Sequence, residues 1–150
     1  MKLVIQRVKE AKVEVDGKTV AAINNGLLVF LGIHRDSTKE EADWLLKKCM
    51  NLRIFNDENQ VMNKSLLDIN GELLIVSQFT LHALTKKGNR PSYIEAASPD
   101  LSLPLYQYFV ENAQLALKNK VQEGIFGADM DVHLVNDGPV TIIIDAQDKK

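Results

Sequence analysis

The chain has 150 residues, of which 45% are hydrophobic, and it carries a formal net charge of -2 at pH 7. A chain of this length buries roughly 70% of its unfolded surface in one core, so we expect a single domain over residues 1–150. The slight net acidity excludes a generally basic nucleic-acid-binding protein, and any contact with nucleic acid must come from a local patch.

The N-terminal residues and the cysteine content indicate the compartment. Charges at Lys2, Arg7, Lys9 and Glu10 interrupt any apolar stretch of signal-peptide length. No run approaches the roughly 18 apolar residues of a membrane-spanning helix. Cys49 has no second cysteine with which to form an internal disulfide, as is typical of proteins in a reducing cytosol. We therefore expect a cytoplasmic protein without a membrane contact.

The first third of the chain has the polarity pattern of strands. Leu3 and Ile5 alternate with polar neighbours, which is the period of a half-buried strand. Asp16-Gly17 predicts a tight hairpin turn before a strand at Thr19 to Ile23, because glycine tolerates the positive φ that such turns require. The apolar run Leu27 to Ile33 is too short for most helices and predicts a central strand covered on both faces.

Two helices are predicted. Ser37 and Thr38 each stand three residues before a glutamate, which is the spacing of a capping box. A second helix is expected to begin near Pro104, because proline is favoured in a first turn. We interpret Cys49 as a small core residue rather than a nucleophile, because its spacing places it on the apolar stripe of the first helix. The predicted core residues are Ala42, Leu45, Leu46 and Cys49 in the first helix and Leu105, Phe109, Ala113, Ala116 and Leu117 in the second.

Three more strands complete the prediction, at Leu73 to Leu81, Met130 to Val135 and Val140 to Ile144. Helices and strands mixed in this order indicate an α+β fold. The signatures GxGxxG, GxxxxGK[ST], GxSxG and HExxH are absent from the sequence. The three histidines are widely separated and have no ligand-type partner four residues away, so no metal site is expected.

Polar side chains interrupt the apolar segment that begins at Leu73. Ser77, Gln78 and Thr80 stand beside Phe79 in a run that is otherwise apolar. One interpretation is a strand that leaves the core at a polar edge. The other is a pocket wall, in which Phe79 stacks on a base and the polar groups bond to a ligand carbonyl or ribose. The residues alone are consistent with both.

The segment Asn136-Asp137-Gly138-Pro139 precedes the last predicted strand. All four are turn-forming residues, so a simple turn is one interpretation. A Gly-Pro bond adopts the cis form for only about 0.5 to 1 kcal/mol, and proline has no N–H. The dipeptide is therefore also suited to present two carbonyl oxygens to an ammonium group, such as the α-amino group of an aminoacyl ester.

A local positive loop lies between these two segments. The stretch Leu73 to Ile94 has no acidic residue but contains Lys86, Lys87 and Arg90. A solvated loop and a phosphate-binding loop both fit this composition. Aromatic residues on either side of the loop favour RNA.

The polar segment after Leu73, the positive loop and the segment at 136–139 follow one another in an order that resembles the D-aminoacyl-tRNA deacylase family. Three further strings extend the resemblance over nearly the whole chain: IQRV at 5–8, NLRIF at 51–55 and FGADM at 126–130. The pair SQFTL and NDGPVT is the specific part of the match. The resemblance implies hydrolysis of the ester between a D-amino acid, or glycine, and the 3′ end of tRNA, as proofreading in translation and without a cofactor. It also implies a homodimer, with mostly antiparallel sheets that close a barrel-like interface and two main helices packed outside.

The resemblance further assigns roles to individual residues. Gly138-Pro139, as a cis dipeptide reaching the partner's pocket, is the expected selector of D over L substrates, and Arg7 orients it. Thr80 is expected to position rather than attack, because it has no sequence-adjacent base. We expect catalysis to depend on backbone N–H donors, aided by the ribose 2′-hydroxyl of the substrate. The expected catalytic segment is Ser77, Gln78, Phe79 and Thr80, and the expected contacts with tRNA and its terminal adenosine are Phe79, Met130, Lys86, Lys87 and Arg90.

Two positions depart from the family pattern. Leu84 stands where an acid is common, and Ser102 stands where alanine is common. Two other classes of function stay open at this point. One is a non-catalytic RNA- or nucleotide-binding dimer, and the other is a general esterase for small aminoacyl esters.

Overall fold

The computed structural model describes residues 1–149. Strands lie at Lys2–Val15 (β1), Lys18–Ile23 (β2), Gly26–Gly32 (β3), Phe55–Asn56 (β4), Met62–Lys64 (β5), Glu72–Ser77 (β6), Val121–Glu123 (β7) and Asp131–Asp145 (β8). Helices lie at Lys39–Asn51 (α1), Leu66–Ile69 (α2) and Pro99–Leu117 (α3), and single 3-10 turns at Phe79–His82 and Ala146–Lys149. No helix among these residues combines the length and hydropathy that crossing a membrane requires.

The main sheet has the strand order β2-β1-β3-β6-β7, and β8 also pairs with β1. Its pairs are mixed: β1 is antiparallel to β2, β3 and β8, whereas β6 is parallel to both β3 and β7. Parallel neighbours need long crossover connections, which are supplied here by the segments that contain α1 and α3. The α+β prediction is therefore confirmed, but the sheet is not purely antiparallel.

The sheet curls until it is nearly closed, since β2 also contacts β6 and β7. Buried residues form two clusters, one on each face. The first includes Leu45 of α1 and Phe109 of α3 and lies between the sheet and the helices. The second includes Val13 and Val76 and fills the concave inner face. Alternate residues of β3 and β6 belong to different clusters, as expected for strands covered on both sides.

The N-terminal predictions are confirmed. Asp16 and Gly17 have φ of 50° and 75° and form a two-residue turn that pairs Val15 with Lys18. The predicted central strand is β3, which is bonded on one side to β1 and on the other to β6. The predicted capping box forms only in part. The Thr38 hydroxyl caps α1 by accepting from the amide N–H of Glu41 at 3.3 Å, but the Glu41 carboxylate accepts from the N-terminal ammonium group and the Ser37 hydroxyl accepts from the His34 amide instead.

The predicted core face of α1 is fully buried, including Cys49. Burial in apolar surroundings raises the pKa of the Cys49 thiol to about 12, because the thiolate is disfavoured where water is excluded. This supports the interpretation of Cys49 as a core residue, since the thiolate is the nucleophilic form.

The predicted start of the second helix was wrong. α3 begins at Pro99, which takes the first-turn position, and Pro104 lies inside the helix. The N–H that Pro104 lacks would have bonded the carbonyl of Asp100. Both residues are exposed, so water can hydrate that carbonyl. Ala116, which was predicted to be buried, is also exposed, because the buried stripe runs through Phe109, Ala113 and Leu117.

Two strand predictions were also wrong. β6 ends at Ser77 rather than at Leu81, and the chain continues into the turn Phe79–His82. Residues 131–145 form one continuous strand instead of two. The short hairpin of β4 and β5 and the four-residue helix α2 were not predicted.

Candidate active site

The polar segment after β6 turns because β3 ends beside it. The last parallel pair joins Leu31 to Ser77, and the Gln78 amide still donates to the Leu31 carbonyl at 2.8 Å. A Cβ on Gly32 would lie 2.8 Å from the Leu81 Cβ and 3.0 Å from the Gln78 carbonyl oxygen. Only a glycine leaves room for the turn to pack this closely against β3. The sequence Phe79–His82 therefore folds over the end of the sheet.

Side-chain contacts hold the residues of this turn. The Gln78 Nε2 amide donates to the Thr80 hydroxyl oxygen at 2.6 Å. The ring of Phe79 meets that of Tyr93 edge to face, with centroids 5.1 Å apart, a geometry worth about 0.5–1.5 kcal/mol beyond its buried area. The Phe79 side chain is nevertheless 54% exposed. One face of an aromatic ring is thus available for a ligand.

A cavity of about 600 Å³ opens beside this turn. Ser77, Gln78, Phe79 and Met130 all line it, so the structure brings together four of the residues predicted for catalysis or for the adenosine contact. Thr80 is not among the lining residues. The rest of the lining is mainly apolar, with Ser102 and Asp129 adding polar groups: Ile33, Val76, Tyr93, Ala96, Ala97, Pro99, Ser102, Phe126, Gly127, Ala128, Asp129 and Val132. A mostly apolar wall with few polar groups is the usual form of a small-ligand site.

His82 ends the turn and is 6% exposed. Its Nε2 has no hydrogen-bond partner among residues 1–149. Its ring meets the His34 ring edge to face at 5.3 Å. Burial lowers the pKa of His82, and the positive charges of the N-terminal ammonium group and Lys2 act in the same direction. A neutral imidazole therefore packs beneath the segment that carries the cavity residues.

The Gly138-Pro139 dipeptide lies on an outward excursion of β8. In the β1–β8 register, Gln6 pairs with Thr141 and Val8 with Asn136, so residues 137–140 all stand opposite Arg7. The Gly138-Pro139 peptide bond is cis, as predicted. Both residues are exposed. A Cβ on Gly138 would lie 2.5 Å from the Val140 amide nitrogen, so the path of the chain requires glycine here.

Arg7 is buried beneath the excursion, with 7% of its surface exposed. Its Nε donates to the Asp137 carbonyl at 2.8 Å and lies 3.5 Å from the Asp137 carboxylate. Its Nη1 donates to the Ile54 carbonyl at 2.6 Å. Hydrogen bonds from a charged group contribute about 1.5–3 kcal/mol each. The guanidinium therefore ties the excursion to the residue that precedes β4.

The cavity and the excursion are separate surfaces of the chain. Among the described residues, the cavity lining includes neither Arg7 nor the Gly138-Pro139 dipeptide. The predicted basic residues form a third surface, since Lys86, Lys87 and Arg90 are all exposed on a loop closed by the Leu84–Ser92 bridge. One chain thus presents a concave site, a protruding dipeptide and a positive loop.

Sequence reasoning assigned no role to several lining residues. Residues 126–129 entered only as part of the family resemblance, and Ala96, Ala97 and Pro99 were not singled out. Tyr93 was noted only as a flanking aromatic, and Ser102 only as a departure. These residues come from the loop before α3, from α3 itself and from the segment before β8, so no local pattern links them to Ser77.

Comparisons with known proteins identify the family of this chain. The family model described as D-Tyr-tRNA(Tyr) deacylase matches residues 4–145. A Flavobacterium psychrophilum protein named D-aminoacyl-tRNA deacylase is 59% identical over 150 residues, and a Bacteroides fragilis (strain YCH46) protein of the same name is 55% identical. Both alignments cover 100% of this chain and 100% of the relative.

Solved structures share the fold of this chain. A "c-Myc DNA Unwinding Element Binding Protein" is 40% identical and superposes with a TM-score of 0.93 over 97% of this chain and 98% of its own. The structure of a "probable eukaryotic D-amino acid tRNA deacylase" superposes with a TM-score of 0.82 over 95% and 97% of the two chains, and its 19% identity supports the fold alone. The family model and the full-length relatives place this chain in the D-Tyr-tRNA(Tyr) deacylase family.

Proposed function

We propose that this chain is a D-aminoacyl-tRNA deacylase, which hydrolyses the ester between a D-amino acid and the 3′ end of tRNA as proofreading in translation. The observation that carries the proposal is the exposed Gly138-Pro139 dipeptide held by the buried Arg7. A simple RNA-binding site has no need of such a device. The family membership of the whole chain supports the same reaction.

The cavity is suited to the 3′-terminal adenosine. The exposed face of Phe79 stacks on the adenine, an interaction worth about 1–3 kcal/mol per base. Met130 contacts the same base, since methionine fills irregular gaps beside aromatic rings. Ser77 and Gln78 supply hydrogen-bonding groups for the ribose and the ester. The mixed lining of the cavity supports this division of roles.

The dipeptide acts as the chiral selector in this proposal. Its two carbonyl oxygens bind the α-amino group of the substrate, because an ammonium group offers three donors and no acceptor. With the amino group held there, an L side chain meets the protein whereas a D side chain points away from it. Glycine has no side chain to exclude, so we propose that glycyl-tRNA is also accepted.

The selector belongs to a second copy of the chain, so that two protomers share each site. An apolar row crosses three adjacent strands on the concave side, formed by Phe30, Val4 and Ile143. Ile143, at the end of the row, is 69% exposed. Within residues 1–149, β8 pairs only with β1 and leaves its other edge open. A long apolar edge strand is normally covered, and a second copy with an identical row is suited to cover it.

Catalysis requires a placed water and donors for the developing oxyanion. The first amide N–H groups of a helical turn have no carbonyl partner within that turn. We therefore assign oxyanion stabilisation to the amides of Phe79 and Thr80 and proton transfer to the ribose 2′-hydroxyl of the substrate. Thr80 has a positioning role, consistent with the hydrogen bond that its hydroxyl accepts from Gln78.

The basic loop contacts the tRNA backbone. Lys86, Lys87 and Arg90 are exposed and stand on one loop next to Tyr93, which lies at the cavity. Removal of one phosphate-binding side chain should reduce the magnitude of the slope of log K against log salt by about 0.7–0.9. If the Lys86→Ala and Lys87→Ala double variant bound tRNA with the same dependence of log K on log salt as the wild type, this loop would not contact the tRNA backbone.

One experiment tests the proposed reaction. Matched D- and L-aminoacyl-tRNA are incubated with the protein, and ester loss is followed for each. We expect hydrolysis of the D substrate alone. Equal rates would indicate a general esterase without a selector, and tRNA binding without ester loss would indicate a non-catalytic module.

A second experiment tests the shared site. Sedimentation equilibrium should give twice the chain mass of 16.8 kDa. Ile143→Glu, which places a charge in the apolar row, should shift the protein toward monomer and reduce deacylation in parallel. A fully active monomer would contradict the shared site.

A further inference from the structure

The Gly138-Pro139 excursion has the geometry of a closed loop on a continuous strand. Four residues, 137–140, stand opposite the single residue Arg7, yet pairing resumes at Thr141 and runs on to Asp145. The pairs on either side bring the two ends of the excursion near each other, but the ladder pairs none of residues 137–140. A bond that connects Val140 to the start of the excursion must therefore come from outside the ladder.

The Asn136 side chain makes this connection. Its Oδ1 accepts from the Val140 amide N–H at 2.9 Å, and its Nδ2 donates to the Val140 carbonyl at 3.0 Å. One side-chain amide thus satisfies both backbone groups of Val140, as a neighbouring strand would. A weaker contact of 3.4 Å joins the same Nδ2 to the Thr141 hydroxyl. The two bonds span only the excursion, so they fix its width directly.

Arg7 does not supply this closure. Its contacts within the excursion are with the carbonyl and carboxylate of Asp137, the residue before the dipeptide. Asn136 instead anchors Val140, the residue after it. The dipeptide is thus held on its N-terminal side by a buried cation and on its C-terminal side by a neutral amide. Neither interaction can replace the other.

We propose that Asn136 is a positioning residue for chiral selection, which sets the direction of the Gly138 and Pro139 carbonyls by closing the excursion onto Val140. This inference rests on the proposed function. Asn136 need not touch the substrate for this role. Loss of its amide frees Val140 and lets the two carbonyls move, so the α-amino group is held less firmly and L substrates are excluded less well.

The test compares Asn136→Ala with the wild-type protein. We measure kcat/KM for matched D- and L-aminoacyl-tRNA and the hydrogen-exchange rate of the Val140 amide. Two hydrogen bonds of ordinary net strength are removed, so the ratio of the D to the L rate should fall by about tenfold or more. Val140 exchange should accelerate while the amides of β3 stay protected.

The controls separate positioning from general stability. Asn112→Ala removes an asparagine-to-backbone bond of the same kind, 2.7 Å from the Tyr108 carbonyl in α3, and should leave the D/L ratio unchanged. Global destabilisation lowers the active fraction equally for both substrates and so cannot change that ratio. Asn136→Asp keeps an acceptor for the Val140 amide but loses the donor. Asn136→Asp should give a D/L ratio between those of the wild type and Asn136→Ala. It replaces Asn136→Ala as the test if the alanine variant fails to fold.

The outcomes distinguish failure of the Asn136 role from failure of the deacylase function. A selective wild type together with a folded Asn136→Ala protein of unchanged D/L ratio would overturn the role of Asn136 and leave the deacylase function standing. A wild type that hydrolyses neither ester would overturn the deacylase function and the selection role together. Unchanged Val140 exchange in Asn136→Ala would overturn the closure itself, whatever the activity.

Discussion

Residues 77–82 end strand β6 and residues 137–140 bulge out of strand β8, and the two segments are held by different forces. The first turns over the end of β3 and is shaped by packing against Gly32, Tyr93 and His34. The second projects from β8 and is held by hydrogen bonds from Arg7 and Asn136. A concave site can be formed by packing because its atoms have neighbours on several sides. A protruding dipeptide has few neighbours, so directional bonds must orient it.

This difference predicts how each region responds to mutation. The packed segment should be sensitive to the size and protonation of its side chains. The excursion should be sensitive to backbone space and to polar contacts. Substitutions in the first region should mainly change substrate binding, and those in the second should mainly change selection between D and L substrates.

The largest effect is expected for Gly138→Ala. The new Cβ would lie 2.5 Å from the Val140 amide nitrogen and 2.8 Å from its Cγ2, so the dipeptide must move. A displacement of this size at a positioning group lowers the rate by about a hundredfold. Steady-state deacylation of D-aminoacyl-tRNA measures the loss. Gly17→Ala is the control for strain away from the site: its φ of 75° disfavours alanine, but its Cβ meets nothing within 4 Å, so it should lower stability without changing the deacylation rate of the folded protein. Full activity in Gly138→Ala would mean that the excursion does not orient the substrate.

Phe79→Ala should have the next largest effect. Loss of the stacking face weakens adenosine binding by about 1–3 kcal/mol, which raises KM roughly tenfold or more while kcat changes less. Because the ring is 54% exposed, the loss of stability should be limited to about the 0.5–1.5 kcal/mol of its contact with Tyr93. Leu115→Ala, at an 81% exposed position on α3, is a matched apolar truncation away from the cavity. An unchanged KM in Phe79→Ala would place the adenosine elsewhere.

His82→Phe tests whether the packed segment depends on a neutral imidazole. The folded pKa of His82 is lowered by burial, so the unfolded state binds more protons below its pKa of about 6.5. The free energy of unfolding should therefore fall as pH drops from about 7 to 5. In His82→Phe the part of this pH dependence that comes from His82 should disappear. At pH 8 the free energy of unfolding of the variant should be about 1 kcal/mol lower than that of the wild type, because the hydrogen bond to the Gly32 backbone is removed. Denaturant unfolding at several pH values measures both, and an identical pH slope in the two proteins would contradict the interpretation.

Thr80→Ala should have the smallest effect. The Thr80 hydroxyl accepts a hydrogen bond from Gln78 and does not line the cavity. Loss of one such bond lowers kcat by about threefold, and Thr80→Ser should restore it. Complete loss of turnover with normal tRNA binding would instead identify Thr80 as a nucleophile.

Local sequence patterns predicted the structure correctly where the residues that contact each other are also close in sequence. The Asp16-Gly17 hairpin and the buried stripe of α1 were predicted correctly, because a turn and a helix face are specified within about ten residues. The start of α3 was not. Pro99 and Pro104 are both compatible with a first turn, and no local pattern distinguishes the two. The strand end at Ser77 was also missed, because it depends on Gly32 in a different strand.

By itself, the sequence determined the family, the α+β class, Ser77 to Phe79 and Met130 as candidate site residues, and the Gly-Pro dipeptide. Only the tertiary structure decided that residues 126–129 and the start of α3 complete the cavity, that Thr80 does not line it, and that β8 continues past the dipeptide as one strand. The physical reason is sequence separation. The Nε of Arg7 bonds the carbonyl of a residue 130 positions away, and the Asn136 closure has a role only because β1 pairs with β8 on both sides of it.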